Sequence, residues 1–168
     1  MPANFALQLA ALRLVPGIAD TDLFLALARP EDARLLAEAT GLLLESGTLR
    51  DPTLTINVSS GSLGAILAAS DVVLGQGGTA NLQALGLGKP VVTFLAEGTT
   101  ASRAARNAAL MGDARVLVDR DPAAMAGALT RLLADDADRM RRGAIGRERM
   151  GPPGAIDAIV AELGHWRA

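Results

Sequence analysis

The sequence predicts an α/β fold built on a doubly wound parallel sheet. Short apolar segments of strand length alternate with segments of helical periodicity over most of the 168 residues, an order typical of parallel strands joined by crossover helices. Between Pro52 and Lys89 the only charged residue is Asp71, which indicates elements buried on both faces. Two glycine-bearing loops follow apolar segments in this stretch, as loops do at the carboxyl edge of such a sheet.

Each element of the first half has its own signal. Phe5, Leu9 and Leu12 recur at helical spacing and predict a helix over 3–14. Leu23–Leu27 is a continuous apolar run and predicts a strand. A proline followed by two acidic residues then starts a helix that we expect to end near Gly47. The rest of this half is predicted as a turn at Asp51 and Pro52, a strand over 54–58, a loop over 59–62 and a helix through Leu67.

The second half continues the alternation. Asp121 followed by Pro122 has the form of a helix cap with proline in the first turn, and Pro152 and Pro153 separate the last two helices. The predicted strands are 71–74, 90–94 and 115–118, and the predicted helices are 79–85, 100–111, one from 122 to about 133, 136–150 and one near 156–163. We expect a single domain over 1–168.

One element of the expected sheet is missing. A doubly wound sheet of order 3-2-1-4-5-6 opens with its central strand, whereas this sequence opens with a helix. The neighbours of that strand would be 23–27 and 71–74, each left with unpaired backbone groups. We expect a gap between them, filled in solution by a partner, or dimers and aggregates formed through the open edges. The alternative is that the two strands close up and pair directly.

Composition removes several kinds of site. The formal net charge of −2 contrasts with the basic footprint of nucleic-acid-binding domains, so no nucleic-acid partner is expected. The absence of cysteine excludes disulfides, thiolate metal sites and cysteine nucleophiles. With His165 as the only histidine, neither a Ser-His-Asp site nor a multi-histidine metal site is expected. No signal peptide pattern is visible, and we expect a cytoplasmic protein.

The two glycine-bearing loops form a candidate ligand cleft. Gly77 and Gly78 let the backbone approach a ligand without an intervening Cβ, and Thr79 opens a helix whose free N–H groups attract anions. The loop 59–62 lies one strand–helix unit earlier and projects from the same edge. A phosphate of a nucleotide-type ligand is the favoured occupant; the alternative is that each loop is an ordinary turn whose small residues serve packing.

Charged residues add little to this cleft. Arginines between Arg139 and Arg149 are interleaved with acids, which favours a solvated helix face. Arg103 and Arg106 are either phosphate contacts or ordinary surface residues. Asp71 begins a strand at the wrong edge and Glu97 lies on a loop, so we nominate no catalytic acid–base pair.

Two segments resemble a known family. Ser60–Val92, SGSLGAILAASDVVLGQGGTANLQALGLGKPVV, resembles the donor-binding core of GT-B glycosyltransferases and is most similar to the lipid-A-disaccharide synthase-related family. Glu148–Ala155, ERMGPPGA, resembles that family's C-terminal signature. The resemblance covers the chain from Asn4 onward. It implies a Rossmann-like C-terminal domain that binds a nucleotide sugar, usually linked to UDP, with acceptor site and general base on a separate N-terminal half.

The resemblance also implies a donor site. Carried over by position, it consists of Gly77, Gly78, Thr79 and Ala80 facing the diphosphate, Asn81 and Gln83 near phosphate and ribose, and Ser62 and Leu63 bordering the base. Relatives usually carry glutamate at Gln83, where glutamine keeps one acceptor oxygen but no charge. Relatives place glutamine where Ala104 stands, whereas Asn107 matches their pattern.

Two classes of function follow. The first is the donor half of a glycosyltransferase that moves a hexosyl group from a UDP-sugar to a lipid or other acceptor, inactive alone and without a cofactor. Its partners would be the nucleotide sugar and the N-terminal acceptor half, through which a peripheral contact with the inner face of the plasma membrane is conceivable. The alternative is a non-catalytic nucleotide-binding or interaction module. A UDP-sugar 2-epimerase would need further acids and histidines.

Overall fold

A computed structural model describes residues 2–76, 78–152 and 154–165, and it confirms the α/β class. The helices are α1 Pro2–Arg13, α2 Asp32–Thr40, α3 Leu63–Ala69, α4 Thr79–Gly86, α5 Ala101–Met111, α6 Pro122–Ala134, α7 Asp136–Met150 and α8 Ala155–His165. The strands are β1 Leu23–Leu27, β2 Leu43–Glu45, β3 Thr48–Arg50, β4 Thr55–Ser60, β5 Val73–Leu74, β6 Val91–Phe94 and β7 Arg115–Val118. Within the described ranges, no helix is long and apolar enough to cross a membrane.

The strands form two sheets. One has four strands in the order β1-β4-β3-β2, and the other has three in the order β5-β6-β7. β1 pairs with β4 in parallel, and β5, β6 and β7 are parallel to one another. β1 and β5 do not pair, in agreement with the expected gap between them. The strand that would join the two sheets is absent from the described residues.

The second predicted helix is wrong in its C-terminal part. α2 ends at Thr40 with Gly41 in the left-handed conformation, and the following residues form the β2–β3 hairpin instead. Ser46 and Gly47 have φ angles of 49° and 79°, which matches the two-residue turn that suits antiparallel strands. The hairpin continues onto β4 in antiparallel register, so this sheet is mixed rather than purely parallel.

Helices cover both faces of the sheets. α1 packs against α2 and α6 on one face, where the largest core cluster joins Phe5 and Leu9 of α1 to Leu36 and Val92. α3 and α4 lie on the other face, with Leu85 and neighbouring apolar side chains against β6. All four residues of β6 are buried, as expected for a strand covered on both sides.

Polar contacts at both ends of α1 show that the two sheets point the same way. At its C-terminal end, Arg13 pairs with Asp51, which lies just before β4. Near its N-terminal end, Asn4 Nδ2 donates to Gln76 Oε1, just past the carboxyl end of β5, at 3.1 Å, and in the middle of the helix Gln8 Nε2 donates to the Leu74 carbonyl at 3.3 Å. β1, β4 and β5 therefore all run antiparallel to α1. The Asp51 carboxylate is also well stabilised: burial would raise its pKa, but hydrogen bonds from Arg13, Thr53 and Leu54 hold that pKa well below its usual range.

The arginines of α7 hold helix ends as well as facing solvent. Arg141 and Arg142 pair with Asp138, as the interleaved charges predicted. Arg139 Nη1 also donates to the carbonyls of Leu132 and Leu133 at the end of α6, at 2.6 and 2.7 Å. Such contacts satisfy carbonyls that a helix end leaves open.

Two glycines let α7 lie directly on α4. A Cβ at Gly146 would stand 2.6 Å from the Leu85 carbonyl oxygen, and one at Gly143 would overlap the Gly88 carbonyl. Because backbone atoms cannot swing aside as a side-chain tip can, the contact requires glycine at both positions.

We predict that Gly146→Ala destabilises the protein although alanine is the better helix former. Separating α7 from α4 should cost about 1–3 kcal/mol, which outweighs the ~1 kcal/mol gained in helix propensity. The matched control is Gly127→Ala in α6, where the nearest atom to a new Cβ is the tip of Arg131 at 3.5 Å. That variant should be neutral or more stable. Urea denaturation of both proteins measures the difference, and equal effects would refute the close α4–α7 contact.

Candidate functional site

A cavity opens at the carboxyl ends of β5 and β6. Its volume is about 330 Å³, the size of a small ligand pocket. Four parts form it: the segment from the end of β5 to Gly78, the end of β6 with its following loop, one face of α5, and Arg115 at the start of β7. The lining residues are Gln76, Gly78, Thr93, Phe94, Leu95, Ala96, Glu97, Gly98, Thr99, Arg103, Asn107, Met111 and Arg115. We call this space the carboxyl-edge cavity.

The N-terminus of α4 opens beside this cavity. Gly78, the residue before the helix, has φ 83° and ψ −167°, a conformation open essentially to glycine alone. No side chain caps this helix, as is also true of α2 and α3, whereas α5, α6 and α7 each begin with a side-chain cap. A Cβ built at Gly78 would meet nothing within 4 Å, so a ligand can approach the backbone there.

Asn81 lies beneath the same loop. Its side chain is 1% exposed, and its Nδ2 has no hydrogen-bond partner among the described residues. A Cβ at Gly75 would overlap the Asn81 amide, so glycine at that position makes room for it. An unpaired buried amide costs about 1–3 kcal/mol, and this cost marks the loop as a place where the sequence is not optimised for stability.

Basic and polar side chains of α5 and the neighbouring strands complete the cavity. Arg103 and Asn107 lie one turn apart on the α5 face that lines it, and Thr93 of β6 is buried at its wall. Burial lowers the pKa of the Arg115 guanidinium, yet arginine remains charged at neutral pH. Glu97 is the one carboxylate in the lining. The cavity therefore combines two cations with a free helix N-terminus, an arrangement suited to an anionic ligand.

The residues predicted from sequence occupy a band along this edge. Gly78 lines the cavity, and Thr79 and Ala80 are exposed in the first turn of α4. Gln83 is exposed one turn further along the same helix. Gly77 lies outside the described residues.

Ser62 and Leu63 lie on the other side of α4. Ser62 precedes α3 and is exposed, while Leu63 packs partly into the core beside that helix. α3 packs against α4, but neither residue lines the carboxyl-edge cavity. The predicted base-binding residues and the cavity thus flank the start of α4 from opposite sides.

Sequence reasoning missed two members of the site. Thr93 is the single polar residue in the apolar strand β6, a signal that was available. Arg115 begins a strand next to apolar residues and carried no such signal. Of the two arginines weighed as phosphate contacts, Arg103 lines the cavity and Arg106 does not.

Sequence comparisons identify no family. No family model matches the chain, and no curated protein matches it. Its similarity to known proteins lies in the backbone.

Solved glycosyltransferases share the fold. WaaG, a glycosyltransferase involved in lipopolysaccharide biosynthesis, superposes with a TM-score of 0.59 and 20% identity over 87% of this chain and 38% of WaaG. CalG4, the calicheamicin glycosyltransferase, gives 0.59 and 22% over 97% of this chain and 38% of its own. SnogD from Streptomyces nogalater, also a glycosyltransferase, gives 0.52 and 22% over 90% and 38%. The chain therefore spans about two-fifths of each of these proteins, and its fold is that of the C-terminal half of GT-B glycosyltransferases.

Proposed function

We propose that this chain is the donor-binding half of a glycosyltransferase and holds a UDP-linked sugar at the carboxyl edge of its sheets. The observation that carries the proposal is the uncapped N-terminus of α4, opening through Gly78 beside a cavity lined by Arg103 and Arg115. A diphosphate fits this arrangement because helix N–H groups and guanidinium groups both bind phosphate oxygens. The GT-B fold supports sugar transfer as the purpose of such a site.

The two loops would contact different parts of the ligand. Gly77, Gly78, Thr79 and Ala80 face the diphosphate in this proposal, and Gln83 and Asn81 serve ribose and phosphate. Ser62 and Leu63 border the uracil from the α3 side. Because Asn81 is buried here, its contribution begins with holding the loop at Gly75, and direct contact with the ligand requires that loop to shift.

The proposed relatives are the lipid-A-disaccharide synthase-related enzymes. The support is the resemblance of Ser60–Val92 and Glu148–Ala155 to their motifs, together with a fold shared with an enzyme of lipopolysaccharide biosynthesis. A hexosyl group would then pass to a lipid or other acceptor held by a second, N-terminal half. A contact of that half with a membrane surface belongs to the same proposal.

The alternative is a nucleotide-binding module without catalysis. It draws on the shortage of acid–base groups, since Glu97 is the one carboxylate lining the cavity. Both functions require nucleotide binding, so binding and transfer need separate tests.

We predict that UDP binds weakly at the start of α4. Amide NMR shifts during a UDP titration should move for residues 59–63 and 76–83 at millimolar ligand, and uridine without phosphate should move them less. Gly78→Val should abolish the shifts, because valine cannot hold this backbone conformation and its side chain would fill the approach. A thermal melt of the variant confirms that it is folded. Shifts confined to other regions would contradict the proposed site.

We predict opposite effects for two asparagine-to-leucine substitutions. Asn81→Leu removes an unpaired buried amide, so the melting temperature should hold or rise. The Kd for UDP should rise about tenfold, which is the effect of losing one hydrogen bond to the ligand or the loop position that Asn81 maintains. Asn57→Leu breaks a bond from Nδ2 to the Leu23 carbonyl, 3.2 Å long and on β4 away from the cavity. It should cost about 1 kcal/mol of stability and leave UDP affinity unchanged. Unchanged UDP affinity in Asn81→Leu would remove Asn81 from the site.

We predict that the purified chain transfers no sugar by itself. Transfer requires a general base placed against the acceptor hydroxyl, and the cavity offers Glu97 alone. The measurement is mass spectrometry of glycolipid products after incubation with a UDP-sugar and a lipid acceptor. Product formed by the chain alone, and lost on Glu97→Gln, would show that the chain supplies its own base.

A further inference from the structure

Two side-chain hydrogen bonds connect the first turn of α1 to the carboxyl-edge cavity. Arg120, which follows β7, donates from Nη2 to Asn4 Oδ1 at 3.0 Å. Asn4 in turn donates from Nδ2 to Gln76 Oε1 at 3.1 Å. Gln76 lines the cavity and lies two residues before Gly78. A chain of three polar side chains therefore ends at the candidate ligand site, and we call it the Arg120–Asn4–Gln76 relay.

The chemistry of the arginine fixes the orientation of both amides. A guanidinium group carries only hydrogen-bond donors, so the Asn4 atom that faces Arg120 is the carbonyl oxygen. The amide nitrogen of Asn4 then faces Gln76, and a donating nitrogen requires an acceptor. Gln76 consequently turns Oε1 toward Asn4. Its Nε2, which carries two N–H donors, is the half of the amide that is left for another partner.

Gln76 is held in place while its nitrogen remains open. The bond from Asn4 is the one side-chain hydrogen bond that Gln76 makes to the described residues, and the side chain is half-buried. One turn further along α1, Gln8 Nε2 donates to the Leu74 carbonyl at 3.3 Å. This second contact fixes α1 against the end of β5, so the relay starts from an anchored helix.

The orientation of Gln76 matches the other polar groups at the cavity. Arg103 and Arg115 line the same space, and the uncapped start of α4 opens beside it, so all of them offer N–H groups. A glutamine that could flip would present its oxygen to an anion as readily as its nitrogen, and the oxygen would repel the anion. The relay removes that alternative. Asn4 and Arg120 themselves lie outside the cavity lining.

We propose that Arg120 and Asn4 are positioning residues that hold Gln76 Nε2 toward a phosphate oxygen of the ligand in the carboxyl-edge cavity. The inference rests on the proposed function, because it takes this phosphate to belong to the diphosphate of a nucleotide sugar, and it adds Gln76 to the residues that contact the ligand. The relay favours ligand groups rich in acceptor oxygens at this position and disfavours groups that carry N–H donors.

Gln76→Glu tests the donor without breaking the relay. A glutamate oxygen accepts from Asn4 as the glutamine oxygen does, but the other oxygen cannot donate and carries negative charge. The Kd values for UDP and for inorganic pyrophosphate, measured by calorimetry on the full chain, should each rise at least about tenfold, and a thermal melt should show a folded protein. Equal affinity of Gln76→Glu and the unsubstituted chain for UDP would overturn the relay and leave the proposed function in place.

Asn4→Asp tests the positioning. Aspartate keeps an acceptor for Arg120 and suits the first turn of α1, so the fold should hold, but it has no donor for Gln76. Gln76 should then reverse its amide and donate to the new carboxylate. In the free protein its side-chain NH2 signals should shift and exchange with water more slowly, and the Kd for both ligands should rise about tenfold. Ala3→Asp, which adds the same charge at the neighbouring exposed position of α1, is the matched control and should change neither quantity.

A double-mutant cycle separates the relay from a general effect of charge. In a Gln76→Ala background, Asn4→Asp should weaken ligand binding no further, because the amide that Asn4 positions is gone. Additive losses would overturn the relay, as would Gln76 NH2 signals that do not respond to Asn4→Asp. Binding of pyrophosphate without UDP, with the same dependence on Gln76 and Asn4, would support the relay and overturn the proposed function. Binding of neither ligand by the unsubstituted chain would overturn both.

Discussion

The unpaired boundary between β1 and β5 is the constraint on which the rest of the arrangement depends. Backbone hydrogen bonds run through each sheet and stop at this boundary, so helix packing holds the two sheets together. Burying Phe5 and Leu9 of α1 contributes roughly 1.5–3 kcal/mol each. The Arg13–Asp51 pair, with its arginine side chain 41% exposed, contributes at most about 1 kcal/mol. Apolar packing therefore supplies the cohesion, and the polar contacts at the ends of α1 fix its direction.

The candidate site straddles that boundary. α3 follows β4 of one sheet, whereas α4 follows β5 of the other, so Ser62 and Gly78 reach the same edge from different sheets. Their separation depends on the contact between α3 and α4 rather than on strand pairing. A change in the spacing of the two sheets would shift one wall of the site against the other.

Local sequence patterns predicted most of the elements, whereas strand pairing between distant segments determined the rest. The alternation of apolar runs and the cap at Asp121 placed most helices and strands close to their observed bounds. The β2–β3 hairpin was missed because Leu42 and Leu43 fit a helical face as well as a strand. Gly41 ends the helix, and only pairing with β4 makes the strand assignment favourable. The unpaired edges of β1 and β5 were predictable, since a helix and not a strand pattern precedes β1.

The sequence indicated the part of the candidate site that is formed by backbone groups, but not the side chains whose place depends on tertiary packing. Glycines directly before a predicted helix indicate a helix N-terminus that a ligand can approach, and Gly78 directly precedes α4. That Asn81 would be buried with an unpaired amide could not be read from the sequence, because this depends on the space left by Gly75. Arg115 reaches the cavity from the start of β7, a position that only the register of β6 and β7 defines.

At the start of α4 the sequence does not maximise local stability. Two features there cost stability, the helix start without a side-chain cap and the Asn81 amide that has no partner among the described residues, while Gly78 adopts its positive φ without strain. α2 and α3 also begin without a side-chain cap, whereas α5, α6 and α7 have one, so the missing cap carries weight only together with Gly78 and Asn81. A bound phosphate would satisfy the open N–H groups and make use of Gly78's freedom. A module that only held a protein partner through its surface would gain nothing from an open helix N-terminus beside two arginines, so the arrangement favours an anionic ligand.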